Sequence, residues 1–335
     1  MIRAAKRRAG YIRRVSPRTR IRLIVGVTAL VAAAVVVGVA LIGRGDGSPT
    51  HKPPVLELSV VLGDDSQAEA LRAAERAYDS GQAEQARTQF AAILRDDPTS
   101  LEAAVGAAIA SWPDGTLDRL RALESAHPDS SLVHLHIGLA LYAEGQREEA
   151  TAQWRSAAEA EPDSPSAVRA GDLLHPDMAP GLPSFFTDLQ PPKGLTGKTA
   201  REQLEMLEQA ARSGGADDWI LYGTALQRVG RPLSARAAFD RALELAPERL
   251  DAKVAAAVGR FDKENPSAAF SRLGPLARDN PDSALVRFHL GVLLLWIRDV
   301  KDARAQLEKA ASTRPESLYG KEAKSLLSRL EGIGT

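Results

Sequence analysis

From Leu23 to Ile42, twenty successive positions carry no charge, no proline and no strongly polar group; Thr28, the one polar member, can bond back to its own helix. At about 1.5 Å per residue such a helix spans roughly 30 Å, the hydrocarbon thickness of a bilayer. The pattern predicts a single transmembrane helix over 23–42. A cleaved export signal would have an apolar region of about 7–15 residues ending at a small-x-small site; this run is longer and ends Leu41-Ile42-Gly43-Arg44. Arg13-Arg14 is followed by Ser16-Pro17-Arg18, where a twin-arginine signal needs apolar residues. Residues 43–66 read as a stalk, rich in glycine, proline and serine up to Pro54. Within it Val55 to Leu62 is a short apolar run that could pack on the chain beyond residue 66 as a strand or as an irregular segment.

Beyond residue 66 the pattern becomes helical and repeats. A small residue is followed by alanine 12 positions on, by a bulky apolar residue 16 on and by proline 24 on. Ala74, Ala86, Phe90 and Pro98 form one such set, and Gly138, Ala150, Trp154 and Pro162 another. Gly223, Ala235, Phe239 and Pro247, then Gly291, Ala303, Leu307 and Pro315, complete the series. Small residues let two helices approach, the bulky one fills the seam, and proline stops the second helix. Turns are expected near Gly81, Gly145 and Gly230.

These residues resemble the tetratricopeptide repeat, and Trp219-x2-Tyr222-Gly223-x2-Leu226 with Ala235, Phe239 and Pro247 is the fullest copy. The resemblance implies an all-α solenoid of helix pairs behind the transmembrane helix. Two units fitted by length, 97–130 and 250–283, give three repeats over 67–164 and three over 216–315. A capping helix and tail occupy 316–335, since a stacked array must cover its last apolar face. Residues 165–215 read as a seventh pair interrupted by a loop at 175–198, which makes the solenoid continuous; the alternative is two short solenoids hinged there.

Charge orients the chain. Residues 1–22 carry nine basic side chains and no acidic one, leaving 34 basic against 43 acidic residues in the remainder. The positive-inside rule puts that basic segment in the cytoplasm and the repeats outside it. An acidic body argues against nucleic acid as partner. Without cysteine there is no disulfide, thiolate metal site or cysteine nucleophile. His134 and His136 stand two apart on a helix and cannot share a metal. Gly197-Lys198-Thr199 lacks the earlier glycine of a phosphate loop, having Pro192 in its place. No enzyme, cofactor, metal site or small-molecule substrate is predicted, and the expected partners are another protein and, through 23–42, the membrane.

The resemblance also implies a binding surface, because in this family the first helix of each unit lines a concave groove. Carried over, the lining is Leu71, Glu75, Tyr78 and Asp79 in the first unit and Leu135, Leu139 and Tyr142 in the third. The fourth gives Ile220, Thr224, Gln227 and Arg228, and the sixth Phe288, Val292, Leu295 and Trp296. Exposed, these apolar positions would mark a binding site; alternatively, tighter packing or loop 175–198 covers them. That loop holds five prolines and the pair Phe185-Phe186, which either serve a binding surface or pack on their own solenoid. The function expected is a membrane-anchored, extracytoplasmic interaction scaffold or chaperone-like adaptor, with an accessory subunit of an envelope-acting enzyme or a structural spacer as alternatives.

Overall fold

The computed structural model describes residues 52–331 apart from 59, 61, 64 and 65. The predicted transmembrane helix, the basic segment before it and stalk residues 43–51 lie outside the described residues. Among those described, no helix is long and apolar enough to cross a membrane.

Fifteen helices and no strand make up the regular structure of the described residues. In the first half these are α1 (Ser66–Asp79), α2 (Ala83–Asp96), α3 (Leu101–Ile109), α4 (Thr116–Ala126), α5 (Ser131–Ala143), α6 (Arg147–Ala160) and α7 (Pro165–Leu174). The second half holds α8 (Ala200–Ser213), α9 (Ala216–Arg228), α10 (Pro232–Leu245), α11 (Leu250–Val258), α12 (Ser267–Asp279), α13 (Ala284–Trp296), α14 (Val300–Thr313) and α15 (Leu318–Glu331).

Local chemistry sets the helix ends. Between pairs the chain turns on Pro98-Thr99-Ser100, Pro128-Asp129-Ser130, Pro162-Asp163-Ser164 and Pro281-Asp282-Ser283. The proline cannot continue the helix behind it. Each serine then caps the helix ahead, its Oγ accepting the N–H three residues on at 3.1 to 3.5 Å, a bond worth about 1 kcal/mol. Within pairs Gly81, Gly145 and Gly230 take φ of 78°, 86° and 75°, as those turns require. The sixth pair has Arg298 at the matching place, with φ 59°. Its guanidinium donates to the Pro176 carbonyl at 2.9 Å, tying the loop to this turn.

First helices of successive pairs pack on one another: α1 on α3, α3 on α5, and likewise α9, α11 and α13. Second helices pack chiefly on helices adjacent in the chain, with side chains such as Gln153 and Glu124 bridging two of them at 3.0 Å, so each stack curves with its first helices on the inside. The interrupted seventh pair does not form. Helix α7 packs on α5 and α6 just as α15 packs on α13 and α14, while α8 packs on α9. Each stack is therefore closed by its own single helix, and the buried apolar residues fall into two clusters, one per half. Asp163 joins the halves from the turn before α7. Its carboxylate accepts the N–H groups of Leu233 and Ser234 at 2.8 and 3.0 Å and the Arg231 Nε–H at 3.2 Å, capping α10 from a distance.

Candidate functional site

The inside of the first stack is filled by residues 54–58 of the same chain. Pro54 and Leu56 point inward, Leu56 only 2% exposed, and Val55 points out at 52%, the two-residue alternation of an extended segment. Side chains hold its main chain. The Tyr78 hydroxyl donates to the Pro54 carbonyl at 2.6 Å, and the Leu58 N–H donates to Glu75 Oε1 at 2.7 Å. Arg72 donates to the Val60 carbonyl at 2.8 Å. The Glu57 N–H donates to His136 Nε2 at 3.2 Å. His136 Nδ1 faces the Leu132 carbonyl at 2.7 Å, so it carries the proton and leaves Nε2 as acceptor. A side-chain ion pair runs from the Glu57 carboxylate to Arg169 Nε of α7, at 2.8 Å. Burial pushes the Glu75 carboxyl up against the bond from Leu58, pushes Tyr78 up to about 12, and pushes His136 down to about 4.

The second stack is filled by the proline-rich loop. Phe185 is 1% exposed, stacked on His289 with ring centres 4.7 Å apart and edge-on to Phe239 at 5.7 Å. Phe186 meets Phe288 edge-on at 5.4 Å. The main chain is held as before: the Phe185 N–H donates to Gln227 Oε1 at 2.8 Å, the Phe186 N–H to His289 Nε2 at 2.9 Å, and the Trp296 indole to the Gly181 carbonyl at 3.1 Å. His289 repeats the arrangement of His136, with Nδ1 on the Leu285 carbonyl at 2.8 Å and burial pushing the ring down to about 4.

A buried polar chain links the two fillings. Asp172 on α7 accepts from the Lys263 ammonium and, at 2.8 Å, from the Gly181 N–H. Lys263 donates again to the Ala179 carbonyl at 2.8 Å. Arg169 lies 3.9 Å from Asp172 while holding Glu57. Burial lowers the Lys263 ammonium, and Asp172 opposes that.

The pairs themselves close on glycine. A Cβ on Gly223 would lie 2.5 Å from the Phe239 ring, one on Gly138 would run into the Trp154 indole, and one on Gly291 would lie 2.9 Å from Leu307. The alanines opposite, Ala150, Ala235 and Ala303, are wholly buried. These are helix-pair repeats that share one seam.

No family model and no curated protein matches the chain. Solved structures similar to it include YrrB, a TPR protein with an unusual peptide-binding site, at 18% identity and TM-score 0.31, over 62% of this chain and 99% of that one. A tetratricopeptide repeat protein from Parabacteroides merdae matches at 12% identity and TM-score 0.30, over 79% and 98%. Pseudomonas aeruginosa pilF matches at 16% and 0.26, over 77% and 96%.

In such a seam alanine is not a neutral replacement for glycine. Gly223→Ala should lower stability by about 1–3 kcal/mol through overpacking against Phe239, although alanine is the better helix former by about 1 kcal/mol. Gly291→Ala should cost less, because Leu307 can change rotamer; urea midpoints of the two variants check the order.

Of the expected groove positions, Leu71, Tyr78, Leu135, Leu139, Ile220, Thr224, Phe288, Val292, Leu295 and Trp296 are buried, and Gln227 and Arg228 half-buried. Tyr142 stays accessible at 45%, its ring 5.6 Å from Trp154 and 5.9 Å below the Arg147 guanidinium. An open apolar patch at Phe288 and Trp296 does not exist: loop 175–198 covers it, and Phe185 and Phe186 pack on their own solenoid. The first-stack filling falls on the run at 55–62, which its residue pattern alone does not assign. His136, His289, Arg72, Arg169, Asp172 and Lys263 are not marked as site residues by the sequence. Only the histidines leave a trace there, each two residues before the seam glycine of its third repeat. Among the described residues no group of three or more His, Asp and Glu could hold a metal ion.

Proposed function

We propose that the protein is a membrane-anchored, extracytoplasmic interaction scaffold that takes an extended segment of another protein in the concave face of its first stack. The reading is carried by the way residues 54–58 lie there. Their carbonyl and N–H groups are bonded by Tyr78, Glu75 and His136, contacts that any extended peptide can make whatever its side chains. Anchoring is supported by the uncharged run 23–42 and the nine cations before it. Tyr142 is the accessible aromatic of first helix α5, the kind of residue on which partner contacts concentrate.

The test is crosslinking of the full-length protein in its native membrane, beside a Tyr142→Asp variant. A defined partner is expected with the parent and lost with the variant, while alkaline extraction leaves both in the membrane fraction. Equal capture by the two would move the site off the first stack, and release by alkali would refute the anchor.

A further inference from the structure

The two fillings are built differently. Residues 176–198 are fixed at both ends, between α7 and α8, and bury Ala179, Phe185 and Leu195 in the core of the second half. Lifting them out would open that core. Residues 53–58 are joined to the repeats on one side only, through 59–65, and on the other they leave the groove at exposed Lys52. Leu56 is their deeply buried aliphatic side chain; Leu58 and Val60 are half-buried. Apart from the Glu57–Arg169 ion pair, the bonds holding them reach main-chain atoms, which a competing strand would present equally well. Leu56 is the one buried member that the segment adds to the first-half cluster, whose other members, Leu71, Leu135 and Leu139 among them, run across α1 to α7.

We propose that residues 53–58 are a displaceable internal ligand, and that the partner which replaces them is an extended peptide with an aliphatic residue directly followed by an acidic one. This rests on the first stack being the binding face. Three contacts define the code. The aliphatic side chain enters the place of Leu56, the following N–H donates to His136 Nε2, and the carboxylate of that same residue takes Arg169. Arg169 is preset for an acid: it is only 22% exposed, and Asp172 lies 3.9 Å from its guanidinium. The position directly before the pair is free, since Val55 faces solvent, whereas the one before that, held by Pro54, is buried. The second stack binds nothing in trans, its occupant being fixed at both ends and adding Ala179, Phe185 and Leu195 to the core. Arg169 also lies beside Asp172, the residue that holds Lys263 and Gly181, so the acid site of the first groove adjoins the anchor of the second filling.

A tethered segment that occupies its groove 90–99% of the time weakens a competitor by about 10- to 100-fold. The experiment uses full-length protein in detergent and a fluorescent peptide of residues 52–60, read by anisotropy. Leu56→Asp cannot re-enter the apolar position, so this variant should bind the peptide at least about tenfold more tightly than the parent. Adding Arg169→Glu should reverse the gain, and a peptide carrying Glu57→Lys should restore it. Equal binding by parent and Leu56→Asp overturns displacement, and indifference to the charge reversal overturns the acidic code. Hydrogen exchange on the unaltered protein needs no variant: amides of Glu57 and Leu58 should exchange well before those of Phe185 and Phe186, and equal protection overturns the proposal. Because the peptide is read without a partner, its failure leaves Tyr142-dependent capture standing, and failed capture leaves the peptide result standing.

Discussion

Acidification from pH 7 to pH 4 is expected to remove about 3 kcal/mol of stability from each half of the protein, through one histidine in each. His136 and His289 are fully buried and neutral, Nδ1 donating to the carbonyl four residues back and Nε2 accepting the N–H of the filling segment. Burial lowers both rings to about 4 in the folded protein, against a smaller upward pull from the Leu132 and Leu285 carbonyls. In the unfolded chain they titrate near 6.5. Between those values the unfolded state binds the extra proton, so the stability they confer is complete above about pH 6.5 and is lost as pH falls through about 4. A difference of that size corresponds to about 3 kcal/mol per ring. Protonation also removes the acceptor at Nε2, so the filling segment loses its anchor as the ring becomes charged. Urea unfolding at stepped pH, followed by tryptophan fluorescence, checks this: Trp112 and Trp154 report the first half, Trp219 and Trp296 the second. His289→Gln should flatten the dependence of the second half and leave that of the first. A midpoint constant from pH 6.5 to 4 would refute the assignment.

Asp172→Ala is expected to cost about 3–5 kcal/mol, the usual result of removing one partner of a buried ion pair. Asp172 and Lys263 have side chains only 9% and 5% exposed, and the ammonium would keep the Ala179 carbonyl as its remaining partner. The Gly181 N–H would lose its acceptor as well. The damage belongs to the abandoned charge more than to the lost attraction. Asp172→Ala combined with Lys263→Met should therefore recover most of the loss, because a well-packed apolar pair replaces a buried ionic one at little cost. Denaturant midpoints for the two single variants and the double form the cycle. If the double variant were as unstable as Asp172→Ala, the buried ammonium would not be the source.

What could be read in the chain was what is local. A seam needs its small, bulky and breaking residues at fixed offsets within one helix pair, so Gly138, Ala150, Trp154 and Pro162 announced the third unit before any contact was known. The serine caps are as local, which is why helices begin where the Pro-x-Ser strings stand. The fate of the segments between helices was not legible, because it is decided by bonds across the sequence. Glu57 meets His136 79 positions away, Phe186 meets His289 across 103, and Trp296 meets Gly181 across 115. Proline-rich and extended stretches have no period of their own, and their burial depends on a surface that exists only once the stack has curved. Whether the grooves stood open, and that the chain fills each with a segment of its own, only the tertiary structure decided, because an apolar concave face in water is covered by a tethered segment held near it at high effective concentration.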